Sequence, residues 1–301
     1  MTDRLRLSIV IPSYRREGVL IESLQYLLGL ADRADEILVI DQTEQHEPTT
    51  RERLTALDAS GAIRWICLRP PSIPAAMNAG LLAATGEVVL FLDDDVRPDP
   101  ALVSAHRRAH ADFPDALIAG RVIQPWQEGV DFSAVETFCF AGEKPFWITE
   151  FMGGNFSLRR ERAMALGGFD QNFVRVAYRF EAEFSHRFCA AGGRIRFAPL
   201  ACLHHLHVGA GGTRSFGEHL ATLRPDHAVG AYYFALRTQS VWGCLAEFVR
   251  RPLRAVATRH HLRRPWWIAG TLLAELRGML WAWRLHRAGP KYANAQQNGS
   301  R

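Results

Sequence analysis

Apolar and polar positions alternate in a regular way along the first hundred residues. Residues 7–12, Leu-Ser-Ile-Val-Ile-Pro, read as a short buried strand that Pro12 and Ser13 interrupt. Leu20, Leu24, Leu27 and Leu28 follow at helical spacing. Residues 37–40 predict a second strand, closed by Asp41, and a polar helix is expected over 49–57. A third strand over 63–68, a helix over 73–84 and a fourth strand over 88–92 complete the pattern. Four strand–helix alternations predict an α/β fold whose mostly parallel sheet is covered on both faces.

Residues 116–200 are more mixed. Strands are predicted over 116–124 and 153–158, the second with a glycine-permitted close approach at Gly153-Gly154. Helices over 161–166 and 179–191 are each ended by a Gly-Gly pair, and a strand over 194–198 leads to a histidine cluster. Beyond Phe216 strand signals stop and helical pieces rich in Trp, Leu and Arg take over. The pattern predicts one α/β domain over 1–215 and a helical extension over 216–301, with a disordered polar end from Asn294.

Composition narrows the class. The chain has 301 residues, 48% of them hydrophobic and 22% charged, a globular balance that excludes a disordered or fibrous chain. Net charge is +5, and the excess sits after Arg237, where arginine is frequent and acid scarce. That asymmetry points to an anionic lipid surface rather than to nucleic acid. Five dispersed cysteines fit buried thiols in a reducing compartment, and no pair has metal-ligand or redox spacing. No signal peptide and no spanning helix are read. The expected location is cytoplasmic, or peripheral on the inner face of the cytoplasmic membrane.

The sharpest chemical signal is Leu90-Phe91-Leu92-Asp93-Asp94-Asp95. Clustered carboxylates repel one another unless a cation lies among them. In open α/β sheets ligands bind at the carboxyl ends of strands, so a divalent metal site is expected at the end of the fourth strand.

Four stretches then fall in order: residues 10–14 (Val-Ile-Pro-Ser-Tyr), 39–41 (Val-Ile-Asp), 74–80 (Pro-Ala-Ala-Met-Asn-Ala-Gly) and 91–95 (Phe-Leu-Asp-Asp-Asp). With Gly167-Gly168-Phe169-Asp170 they resemble the family 2 glycosyltransferases, which have the GT-A fold, over about residues 5–215. The resemblance implies inverting transfer of a sugar from a UDP-, GDP- or dTDP-linked donor to a glycan or lipid-linked acceptor, in bacterial surface polysaccharide synthesis. It places Pro12, Ser13 and Tyr14 along the nucleotide, Asp41 at its base, and Asn78 in the donor site. The Asp-X-Asp likeness makes Asp95 the metal ligand, for Mn²⁺ or Mg²⁺, and puts Asp93 and Asp94 with the donor. Gly154 and Asn155 resemble the acceptor side.

The run 180–187, Phe-Glu-Ala-Glu-Phe-Ser-His-Arg, resembles the family's Glu-Asp-X-Asp-Leu-X-X-Arg helix. Matching Phe184 to Leu and Arg187 to Arg puts Glu181 on the base, with Glu183 as runner-up on the acceptor side. Three departures stand out: Asp41 lacks the usual following Asp and Gly, Met77 replaces an Arg before Asn78, and Phe180-Glu181 replaces Glu-Asp. Arg69 is the candidate substitute for the missing Arg. His204 or His205 is expected to complete the metal shell, and Gly209–Gly212 a flap whose Arg214 clamps the diphosphate. A zinc site would need a further ligand cluster, and none has suitable spacing. Leu272, Leu273, Leu276, Met279, Leu280 and Trp283 share one helical face, as expected of a helix in a membrane interface or of a packed cap. Two rival readings are a degenerate nucleotide-binding scaffold and a sugar-phosphate nucleotidyltransferase. The latter wants a Gly-rich loop after the first strand, and residues 12–16 contain no glycine.

Overall fold

The computed structural model describes residues 4–209, 211–217 and 220–293. In chain order the first half runs β1 (Leu7–Ser13), α1 (Gly18–Leu28), β2 (Glu36–Asp41), α2 (Pro48–Ala59), β3 (Arg64–Cys67), α3 (Ile73–Ala83), β4 (Val88–Leu92), β5 (Val96–Pro98), α4 (Leu102–Asp112) and β6 (Leu117–Ile123). Then follow β7 (Phe146–Ile148), β8 (Asn155–Arg159), α5 (Arg160–Ala165), α6 (Phe180–Ala190) and β9 (Ile195–His205). Four helices close the described chain: α7 (Val229–Thr238), α8 (Val241–Val256), α9 (Arg259–Arg263) and α10 (Trp267–Ala288).

Among the described residues nine strands form one sheet, ordered β3-β2-β1-β4-β8-β6-β9-β5, with β7 beside β9. The first four strands are parallel to one another. Strand β8 then enters antiparallel between β4 and β6. Every residue of β4 is buried, as a central strand covered on both faces requires. Leu20, Leu24 and Leu27 of α1 pack with Leu7, Ile9 and Ile11 in the same core. Helix α3 lies close on β1, because Gly80 leaves no room for more: a Cβ there would stand 2.2 Å from the Val10 side chain.

The chain divides into two compact units. One holds residues 1–71, 76–168 and 185–212; the other holds 72–75, 169–184 and 213–301. The second unit therefore draws the Gly-Gly-Phe-Asp aspartate into the helical part. Asp170 accepts from Tyr233 Oη at 2.7 Å and from the Asn172 and Lys291 N–H groups at 3.0 and 2.9 Å. Asn172 in turn donates to Tyr233 Oη and to the Gly289 carbonyl.

Three elements, β5, α4 and β7, carry no sequence signal, and β9 runs well past residue 198. Helix α4 escapes periodicity because its buried face holds His106, Arg107 and His110. These histidines have a fixed tautomer. Asn155 Nδ2 donates to the Arg121 and Ala201 carbonyls, so its Oδ1 accepts from His106 Nε2 at 2.9 Å. His106 Nδ1 then accepts from Ser157 Oγ, which accepts in turn from His110 Nε2, each at 2.8 Å. Burial lowers the ionisation of His106 to about 4. Burial, with the neighbouring His106 and Arg159, lowers His110 to about 3.

Both rings are neutral in the native state and titrate near 6.5 when unfolded. Below that value the unfolded chain binds more protons, so stability falls as pH drops from about 6.5 toward 4. The slope approaches about 1.4 kcal/mol per pH unit for each histidine. Urea unfolding at pH 7 and pH 5 measures it, and replacing His110 by Gln should flatten the dependence.

Candidate functional site

The first unit gathers most of the expected donor residues at the carboxyl end of β1, β2 and β4. Asp94 and Asp95 are buried there, and Asp93 is partly exposed. The cation that answers them is Arg16, which is itself buried. Its Nε donates to Asp94 Oδ1 and its Nη2 to Asp95 Oδ2, both at 3.0 Å. Arg16 follows the first strand and was not among the expected site residues. Charge balance was the available signal, since three like charges at one strand end demand a nearby cation.

Asp94 is fully engaged within the protein: its second oxygen accepts from Ser13 Oγ at 2.8 Å, and its carbonyl from Ser23 Oγ. Burial pushes its carboxyl up to about 7 against the pull of Arg16. Asp95 goes the other way. Burial would raise it, but His205, Arg16 and the Val208 N–H outweigh that and hold it below the ordinary range. Asp95 Oδ1 is buried and makes no hydrogen bond among the described residues. His205 Nε2 lies 3.1 Å from it and 3.9 Å from Asp93 Oδ2. Gln124 Oε1 sits 3.1 Å from His205 Nδ1, which leaves Nε2 to face the carboxylates. Asp93, Asp95 and His205 thus present ligand atoms within 4.8 Å of one another. Arg16 pairs with Asp94 and Asp95, and a divalent cation would answer the charge of Asp93 and Asp95. This donor set fits Mn²⁺ or Mg²⁺.

Adjacent residues of a strand point to opposite faces, so the structure separates the two candidate histidines. His205 joins Asp95, whereas His204 faces Asp99 and Glu128. Gly154 stands behind Asp93: a Cβ there would meet Asp93 Oδ2 at 2.2 Å, and its carbonyl accepts from the Asp93 N–H at 3.3 Å. Asn155, expected on the acceptor side, is instead wholly buried, with its amide spent on His106 and two carbonyls.

Asp41, paired across the ladder with Ser13, is buried. Oδ1 accepts from the Thr43 N–H at 2.9 Å. Oδ2 meets His46 Nε2 at 2.6 Å and Trp65 Nε1 at 2.9 Å. Three of a carboxylate's roughly four acceptor positions are filled, which leaves one on Oδ1. His46 also reaches Glu17 through Nδ1, at 3.1 Å. Pro12 and Tyr14 lie partly buried on the rim, and the Tyr14 carbonyl accepts from the Gly212 N–H at 2.8 Å. Asn78 is buried in α3. Arg69 is exposed and donates to the Glu44 carbonyl. The Arg214 side chain lies outside the described residues, as does the polar end after Ala293.

Glu181 and Glu183 sit in the first turn of α6 and belong to the second unit. Glu183 is buried, with Arg237 Nη2 at 4.0 Å, and Glu181 is partly exposed. Arg175, Ala177 and Arg179, just before the helix, all adopt positive φ. Non-glycine residues rarely do so outside constrained functional segments.

The sequence profile of glycosyl transferase family 2 matches residues 8–177, more than half of the chain. A Bacillus subtilis (strain 168) protein named "Probable glycosyltransferase YdaM" is 26% identical over 216 residues, 67% of this chain and 50% of its own. The chain therefore spans about half the length of that relative. Among solved structures, the Pyrobaculum calidifontis mannosyltransferase PcManGT, in complex with GDP-Man and Mn²⁺, superposes with a TM-score of 0.56 at 18% identity, covering 99% of this chain and 80% of that one. Staphylococcus aureus TarS 1-349 in complex with UDP-GlcNAc gives 0.60 at 15% identity, covering 88% and 79%. The architecture is the GT-A fold.

Removing one partner of a buried ion pair strands the other charge. Arg16→Met should therefore cost about 3–5 kcal/mol in urea unfolding, and adding Asp94→Leu should recover part of it. Gly154→Ala should push Asp93 aside and weaken Mn²⁺ binding by about 10- to 100-fold. Calorimetric titration with Mn²⁺ measures that loss, and the unfolding midpoint should barely move.

Proposed function

The chain belongs to glycosyl transferase family 2, and on that footing we propose that it moves a sugar from a nucleotide-diphosphate donor to a hydroxyl of a glycan or lipid-linked glycan, with inversion. The observation that carries this reading is the Asp93, Asp95 and His205 cluster beside the buried cation Arg16. A nucleotide site at the ends of β1, β2 and β4 accounts for all of it. Mn²⁺ or Mg²⁺ held by these residues would stabilise charge on the departing diphosphate.

The chain's own groups divide the remaining work. The open acceptor position on Asp41 takes an N–H of the nucleobase, and an unmet partner there lowers affinity. Arg16 keeps Asp95 ionised and aimed, and Asp94 serves as its anchor rather than touching the donor. Arg214 closes on the diphosphate. Glu181 removes the acceptor proton as the hydroxyl oxygen attacks the anomeric carbon opposite the leaving group. Its partial exposure supports it over the buried Glu183, which holds Arg237.

A lipid surface suits the second unit. Helix α10 buries Thr271, Ala274, Glu275, Gly278 and Ala282, and turns Leu272, Leu273, Leu276, Leu280 and Trp283 outward. Helix α8 exposes Val241, Trp242, Leu245, Val249 and Leu253, with Trp242 at 80%. Arg250, Arg254, Arg259, Arg263 and Arg264 are exposed along the same stretch. Apolar faces bordered by arginine fit an anionic bilayer interface. No helix among the described residues is long and apolar enough to cross a membrane. The reading is a peripheral enzyme that meets a lipid-linked acceptor, as in the synthesis of a surface polysaccharide.

Thermal unfolding with UDP, GDP, dTDP and CMP, each with and without Mn²⁺, tests the donor site. One nucleoside diphosphate should raise the midpoint only when Mn²⁺ is present. No shift with any of them sinks the donor assignment. Glu181→Gln should lower turnover by about 10²–10⁴-fold while that nucleotide-dependent shift persists. Unchanged turnover removes Glu181 from the base role. Sedimentation with anionic vesicles should capture the protein, and Trp242→Ala with Leu245→Ala should release it. Vesicle-independent dimerisation lost in the same double variant would assign the face to a second copy instead.

A further inference from the structure

The spacing of cysteine and histidine in the sequence suggested no zinc cluster, yet the strand register brings three candidate ligands together. Cys202 and His204 stand two residues apart on β9 and share a face. Strand β5 runs antiparallel beside them, with Pro98 opposite Leu203. Asp99 follows directly, and its N–H donates to the Cys202 carbonyl at 3.1 Å. The Cys202 sulfur, a His204 ring nitrogen and an Asp99 carboxylate oxygen lie within 4.8 Å of one another.

The orientation of His204 is what singles this cluster out. Its Nδ1 lies 2.7 Å from Glu128 Oε1. A carboxylate only accepts, so Nδ1 carries the hydrogen. The other ring nitrogen, Nε2, stands 3.2 Å from Asp99 Oδ1. A proton or a metal ion between Nε2 and that oxygen satisfies both. Ligands at about 2.0–2.3 Å in a tetrahedron stand about 3.4 Å apart, close to the separation seen. A carboxylate holding the far nitrogen of a ligating histidine is the usual support of such a metal.

We propose that Asp99, Cys202 and His204 form a second divalent-metal site of the zinc class, with Glu128 orienting His204 and a fourth position open to water. The two sites differ in softness. Thiolate with imidazole selects zinc, whereas the carboxylate-rich donor cluster suits Mn²⁺ or Mg²⁺. Cys202 is buried, and Asp99 is 42% exposed, which leaves a path of entry. A metal here ties β5 to β9 on one face of the rungs whose other face carries His205 to Asp95. The site stands independently of the sugar-transfer reading.

Cobalt substitution tests it. The full chain is stripped with a chelator and titrated with Co²⁺. A sulfur-to-cobalt charge-transfer band should grow to a single equivalent per chain and vanish when Zn²⁺ is added. The band should be absent in Cys202→Ser and intact in Asp95→Asn. Glu128→Gln should weaken Co²⁺ binding by about 10- to 100-fold. Because Cys202 is buried and its replacement can disturb folding, Asp99→Asn is the second variant, and it should weaken binding with an unchanged circular dichroism spectrum. No band in the native protein, a band that survives Cys202→Ser, or undiminished affinity in Asp99→Asn overturns the proposal.

Discussion

Arg16 grips Asp94 with one nitrogen and Asp95 with another, and most of the candidate donor site is arranged around that fork. Its remaining amino group reaches the Val208 carbonyl, so one side chain joins the β1 exit, the β4 end and the chain beyond β9. All of this happens away from water, where ion pairs are strong but an unmatched charge is costly. The two acids it holds answer differently. Asp94 is closed off by Ser13 and becomes part of the scaffold, while Asp95 keeps one oxygen uncommitted. Two neighbouring carboxyls with opposed ionisation have been given separate tasks by their surroundings.

Behind this polar end stands a second buried network, from His110 through Ser157 and His106 to Asn155. It fastens α4 to β8 and holds β9 at Ala201, whose carbonyl takes one of the Asn155 hydrogens. Gly154, the residue before β8, backs Asp93. The same strand therefore anchors the sheet with its buried asparagine and makes room for the site with its neighbouring glycine. A buried network of this kind favours one arrangement, because a shift would leave several more buried groups unmet.

The elements legible in the sequence were those whose burial follows simple periodicity. Strands β1 to β4, with apolar runs ending at Pro12, Asp41 and Asp93, could be read directly. Helix α4 could not, because histidine and arginine occupy its inner face and only the finished network reveals them as neutral or paired. Strand β5 is three residues long and has no pattern of its own. In the site, the acid triplet and Asp41 announced themselves as charge at strand ends. Arg16 did not, since a loop arginine looks like any other until its partners are folded against it. Which of His204 and His205 meets the aspartates was beyond sequence reasoning, because that depends on strand register.

That register has an unusual origin. Gly120 pairs with Ala198, but the next residue, Arg121, pairs with Cys202, so Pro199, Leu200 and Ala201 loop out between adjacent rungs. Along an unbroken strand Ala198 and Cys202 would share a face; here one rung separates them, so they take opposite faces. The excursion inverts the parity of everything after it. Parity alone decides which of two adjacent imidazoles meets the aspartate triplet and which meets the cysteine. Without the excursion Pro199 would pair with Arg121, and both histidines would stand three rungs further along, on exchanged faces and beyond their present partners, so this small detour is itself a determinant of the chemistry.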